Sequence, residues 1–188
     1  MTTDEIWTAP AVEDEARPSA TGTEHDLLQM WLDVHRRTLL WKCSGLTAEQ
    51  LKEQANPPSV LNLLGLVRHM ADNERWWFTH HAAGLPLVPL YCTDDDENAD
   101  FDGVPDADPA ADLAAFEAEC EASRHSTAGL DLDHEVQPWD RPISVRWILL
   151  HMIEEYARHN GHADMLRERI DGTTGDFPHR RPHRPADE

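Results

Sequence analysis

The stretch SVRWILLHMIEEYARHNGHADMLRERIDG, residues 144–172, reads as one long helix and decides how the rest of the chain is assembled. Ser144 stands where an N-cap belongs, and Gly172 suits the left-handed residue that ends many helices. Inside it, His151, Glu155 and His159 recur at intervals of four. Positions i and i+4 share one face, about one turn apart. Such a ladder can offer two ligands to one cation from a rigid rod.

Working outward, three further long helices are expected. Thr23 and Asp26 stand at capping-box spacing before the run Leu27, Trp31, Val34, Thr38, Trp41, which predicts a helix over 24–42. Thr47 and Gln50 form a second capping box and start a short helix, stopped by Asn56-Pro57-Pro58. Ser59 is read as the cap of VLNLLGLVRHMADNERWWFTHHA, a long helix ending near Gly84-Leu85-Pro86. Residues 86–108 read as an acidic loop. Asp108-Pro109 reads as N-cap and first position of another helix, ending before Gly129. Leu130 to Pro142 is a connector, and no alternating strand pattern stands out. Four principal helices and one short extra helix predict an all-α four-helix bundle with flexible termini. The expected organisation is an N-terminal arm over 1–22, with Ile6 and Trp7 docking on the body, a bundle over 23–172, and a disordered tail over 173–188.

Charge narrows the partners. The chain carries 36 acidic against 16 basic residues, a net charge of -20. A nucleic-acid surface needs clustered Lys and Arg, so neither nucleic acid nor an anionic membrane is expected as a partner. No window approaches the roughly 18 apolar residues of a membrane span. The acidic start lacks the basic, then apolar, pattern of a secretion signal. Cys43, Cys92 and Cys120 are odd in number and widely spaced, which suits a reducing compartment. The expected location is therefore the cytoplasm.

Bundles build metal sites from side chains on facing helices, so the ladder needs a partner elsewhere. His69, midway along the second long helix with apolar neighbours at 63, 66, 67 and 70, is the best one. Two imidazoles and a carboxylate suit zinc first, with nickel, iron or cobalt also compatible, and leave positions open for water or substrate. Spacing alone leaves another reading open: two surface residues and a hydrogen-bonded core histidine. Other motifs exclude themselves. The loop from Asn98 to Gly103 starts like an EF-hand, but Pro109 stands where the bidentate Glu belongs. A ferritin-like di-iron site needs two E-x-x-H motifs, and the chain has none. The run Asp94 to Glu97 reads as a solvated loop. Trp31, Trp41, Trp76, Trp77, Trp139 and Trp147 read as core by default, with Trp76 close enough to His69 to border its cavity.

The central histidine of the second long helix, followed by E-Y-A-R-H-N-G-H-A-D-M-L-R-E, resembles the DinB-like superfamily. The likeness covers about residues 24–172 and is greatest with the domain-of-unknown-function 664 branch, which includes mycothiol S-transferases. The resemblance implies a four-helix bundle carrying a divalent metal on one histidine of the second helix and an H-x-x-x-H pair on a late helix. Here Glu155 occupies the first position of that pair and His159 the second. The mycothiol-dependent maleylpyruvate isomerases are similar in using His, Glu and His. The implied ligands are thus His69, Glu155 and His159, with no catalytic protein residue beyond them.

His151 could replace Glu155, but it lies about 12 Å along the axis from His159, too far for the two to share a cation. His151, His162 and Trp76 are therefore expected to support the site or face substrate, and Glu154, about 100° round the helix from Glu155, to face solvent or a second subunit. The implied activity is transfer of a low-molecular-weight thiol, mycothiol or similar, to an electrophilic small molecule. A metal-stabilised binding module without turnover, and a metal-dependent hydrolase or isomerase, are the alternatives. Homodimerisation is a further expectation from the relatives.

Overall fold

The computed structural model describes residues 6–12 and 19–175. Its long helices begin where local chemistry can satisfy their free amide groups. Helix α1 spans Glu24–Cys43 and opens on a complete capping box between Thr23 and Asp26. Helix α2, Ala48–Lys52, opens on the same device between Thr47 and Gln50. Helix α3 spans Leu63–Glu74, and a π-helical segment, Arg75–Ala82, continues it. Its cap is Asn62 instead of Ser59: the Asn62 side chain accepts from the Gly65 amide at 2.8 Å. The Ser59 hydroxyl accepts from Leu61 N at 3.3 Å, within the turn that follows the prolines.

The acidic segment expected to be plain loop contains helix α4, Ala99–Asp102, and a 3-10 turn, Val104–Asp106. Helix α5, Pro109–Thr127, is capped by Asp108, whose Oδ1 accepts from Ala110 N and Ala111 N. The connector holds two short strands, β1 (Glu135–Val136) and β2 (Ile143–Ser144), paired antiparallel. Helix α6 runs Val145–Asp171, capped by Ser144 and ended by Gly172 at φ 78°. The fold is all-α, with α1 packed along α6 and α3 along α5.

The core between these helices is built from Leu32 and Leu39 of α1, Leu66, Val67 and Met70 of α3, Phe116 of α5, and Ile148, Met152 and Tyr156 of α6. One ionic group is sealed inside it. Arg36 Nε and Nη2 donate to the two oxygens of Glu74 at 2.7 and 2.6 Å, and Tyr156 Oη donates to Glu74 Oε1 at 2.7 Å. A bidentate guanidinium–carboxylate pair is strong and directional. This one ties α1, α3 and α6 together next to Glu155.

The arm docks through backbone. Ala9 N donates to Leu46 O at 2.8 Å, Gly45 N donates to Ala9 O at 2.9 Å, and Ala9 is buried. Ile6, expected to dock, is 74% exposed. Trp31 and Trp139, read as core, are each 46% exposed, whereas Trp77 is buried. Apolar composition does not say which face of an element a side chain occupies. Most of the predicted tail, 176–188, lies outside the described residues.

Candidate metal centre

Helix α3 presents His69 and helix α6 presents Glu155 and His159. One ligand-competent atom from each lies within 4.8 Å of the others. The His69 and His159 rings meet edge to face with centroids 4.8 Å apart. Glu155 Oε2 stands 3.4 Å from His159 Nε2, as the i,i+4 spacing requires. All three side chains are partly buried. Two donors each about 2.1 Å from one ion are at most about 4.2 Å apart, so small side-chain adjustments bring the three into one coordination sphere.

The orientation of His69 comes from a residue that the sequence places in the acidic loop 86–108. Asp100, on α4 and only 4% exposed, places Oδ2 2.8 Å from His69 Nδ1. A buried carboxylate in that position takes the N–H of Nδ1, which leaves Nε2 with its lone pair for a ligand role. Asn73 Nδ2 stands 3.1 Å from that nitrogen and also donates to the His69 carbonyl at 2.9 Å. Burial alone would push the Asp100 carboxyl up. His69, Cys92 and the Phe101 amide outweigh it and hold the carboxyl below its ordinary range.

Asp100 is held in turn by α3. Arg68 Nε donates to Asp100 O and Nη2 to Ala99 O, both at 2.9 Å, while Nη1 pairs with Asp112 at 3.1 Å. Asp72 accepts from Tyr91 N and Cys92 N, fixing the start of the same segment. Gly65 lets α4 approach: a Cβ there would lie 2.3 Å from the Phe101 ring.

His159 is a neutral imidazole at pH 7. Burial, then the neighbouring His69, His162 and Arg158, push its pKa down to about 4. His162 Nδ1 lies 3.5 Å from His159 Nδ1, on the side of the ring away from Glu155. With the proton on His159 Nδ1 and His162 accepting it, Nε2 is the free donor atom. His151 comes within 4.8 Å of Glu155 but does not group with His69 and His159. Its ring stacks on Trp147 at 4.9 Å and meets the edge of Trp77 at 4.9 Å.

Beside His69 opens a cavity of about 710 Å³, lined also by Trp76, Asp72, Asn73, Phe101 and the acidic run Asp94, Asp95 and Glu97. Trp76 thus sits in the wall of the cavity and not in the core. The cysteines offer no nucleophile. Burial raises the Cys43 and Cys92 thiols to about 12, and Cys120 higher still. Asp100 was missed because its partner is 31 residues away, and nothing local in Asn98–Gly103 announces that it is buried.

No helix among the described residues is long and apolar enough to cross a membrane. A crystal structure of a conserved protein from Enterococcus faecalis is similar to this chain, with a TM-score of 0.58 at 16% identity. The similarity covers 81% of this chain and 100% of that one. At that identity the likeness concerns the fold. No curated protein matches the sequence. The family described as mycothiol-S-transferase matches residues 27–172, which runs from the first turn of α1 through α6 and takes in every residue of the candidate centre. The chain belongs to the mycothiol S-transferase family, within the DinB-like superfamily.

Proposed function

We propose that this chain transfers a low-molecular-weight thiol, mycothiol or a close analogue, to an electrophilic small molecule at a divalent cation held by His69, Glu155 and His159. The observation that carries the reading is the convergence of three metal-competent atoms within 4.8 Å, from two helices, with one of the three residues, His69, also lining an open cavity. The donor set fits the ion: two imidazoles, one oriented by a buried carboxylate, and one carboxylate that lowers the site's charge by one. Zinc suits this set, and nickel, iron or cobalt also fit. A divalent ion held there would lower the pKa of the cosubstrate thiol and make its thiolate accessible at neutral pH.

The chain's own groups have simpler tasks. Asp100 keeps the proton on His69 Nδ1. His162 does the same for His159. Trp76 offers an aromatic wall to the bound cosubstrate, and the raised cysteine thiols stay protonated and out of the reaction. Three protein ligands with a cavity alongside suit turnover better than a closed structural site. Neither His151 nor His162 joins the trio as a fourth ligand among the described residues, which favours transfer over the binding-module reading.

The test is thiol-dependent turnover by metal-loaded protein against a panel of electrophiles. His159→Ala should lose it while keeping the helical content of the parent. Equal turnover by that variant overturns the assignment.

A further inference from the structure

Glu155 belongs to a second cluster as well. His151, Glu154 and Glu155 bring one imidazole nitrogen and two carboxylate oxygens within 4.8 Å of one another. Glu154 and Glu155 leave the helix in different directions, but both reach the same turn as His151. We propose that these three side chains form a site for a second divalent cation, with Glu155 bridging it to the cation held by His69 and His159. The bridge rests on the reading of the first centre given above; the second cluster needs neither His69 nor His159.

Three features support it. First, the His151 ring is held in place by its stack on Trp147, at an interplanar angle of 16°, and by the edge of Trp77. Its nitrogens make no hydrogen bond among the described residues, so both remain available to an ion. Second, a positive charge already spans the two carboxylates. Arg158 pairs with Glu154 and places Nη1 3.6 Å from Glu155 Oε1. Both of its ion-pair partners belong to the proposed site, and the Arg158 side chain is 57% exposed. An exposed pair of this kind holds weakly and yields readily to a divalent ion. Third, Glu155 has two oxygens and two neighbours. Oε2 faces His159 and Oε1 faces Arg158. A carboxylate used in that way matches sites whose two ions stand about 3.5–4 Å apart.

One imidazole and two carboxylates form a harder donor set than the first centre, suited to manganese, iron or magnesium as well as zinc. Half-exposed Glu154 makes it the weaker and more exchangeable of the two.

Manganese is the probe. Protein freed of metal with a chelator is loaded with Mn²⁺, the bound metal is counted by elemental analysis, and the electron paramagnetic resonance spectrum is recorded. Wild type should bind two ions with an exchange-coupled spectrum. His151→Gln should bind one ion with an uncoupled spectrum, as should His69→Ala, and Arg158→Ala should tighten the weaker site several-fold. One ion in wild type, unchanged by His151→Gln, overturns the second site and leaves the first intact. One ion unchanged by His69→Ala instead overturns the first centre. Two ions without coupling overturn the bridge.

Discussion

Asp100 decides which nitrogen of His69 is free, and it does so from a segment whose sequence says little about it. Removing its charge while keeping its shape should loosen the metal centre without unfolding the protein. Asp100→Asn is expected to lower metal affinity about 10–100-fold, the usual cost of losing a carboxylate behind a ligating histidine. Competition with a chromophoric chelator measures this, and an unchanged affinity would remove Asp100 from the account. His159 makes a second residue-scale prediction, for protein stripped of metal. Its pKa falls from the ordinary 6.5 to about 4 on folding, so the unfolded chain takes up the proton first as pH drops. Stability from this group is therefore intact above pH 6.5 and lost progressively between pH 6.5 and 4. Denaturation midpoints at pH 7 and pH 5 should differ less in His159→Gln than in wild type; equal differences would contradict the assignment.

The helices deliver these side chains only if α3 and α6 keep their relative height, and the buried Arg36–Glu74–Tyr156 group sets it. Glu74→Ala takes from the buried Arg36 guanidinium its bidentate partner, leaving it Asp33 at 2.9 Å, and should cost about 3–5 kcal/mol, read from urea unfolding. A loss within about 0.5 kcal/mol, ordinary for a surface site, would show that the group does not carry this role. Element boundaries were legible where the cap is local: Thr23, Thr47, Asp108, Ser144 and Gly172 all act within a few residues of themselves. Ser59 failed as a cap because the turn after Pro57-Pro58 uses its hydroxyl and passes the task to Asn62. Helix α4 was not legible because it is pinned from outside, by Arg68 and by the space that Gly65 leaves. The paired strands are two residues each, too short to show alternation.

At the scale of the molecule, the bundle and the ladder were readable because helical periodicity and i,i+4 spacing are local properties. The cavity and its charge were not. Asp72, Asp94, Asp95 and Glu97 line it together, and Arg75 of the same wall is bound to Glu119 at 2.5 Å. With a net charge of -20, this field opposes anionic thiols and favours neutral ones. Ligand binding must also appear as stability, because anything that binds only the folded state raises its melting temperature. The direct test is thermal unfolding of metal-free and metal-loaded protein, each with and without a neutral sugar-linked thiol such as mycothiol. At 100 times its dissociation constant the thiol contributes about 2.7 kcal/mol, roughly 5–10 °C for a domain of this size. That shift is expected in metal-loaded wild type, and its absence in metal-free protein and in His159→Ala. An equal shift without metal, or none with it, would rule out a thiol site built on the metal centre.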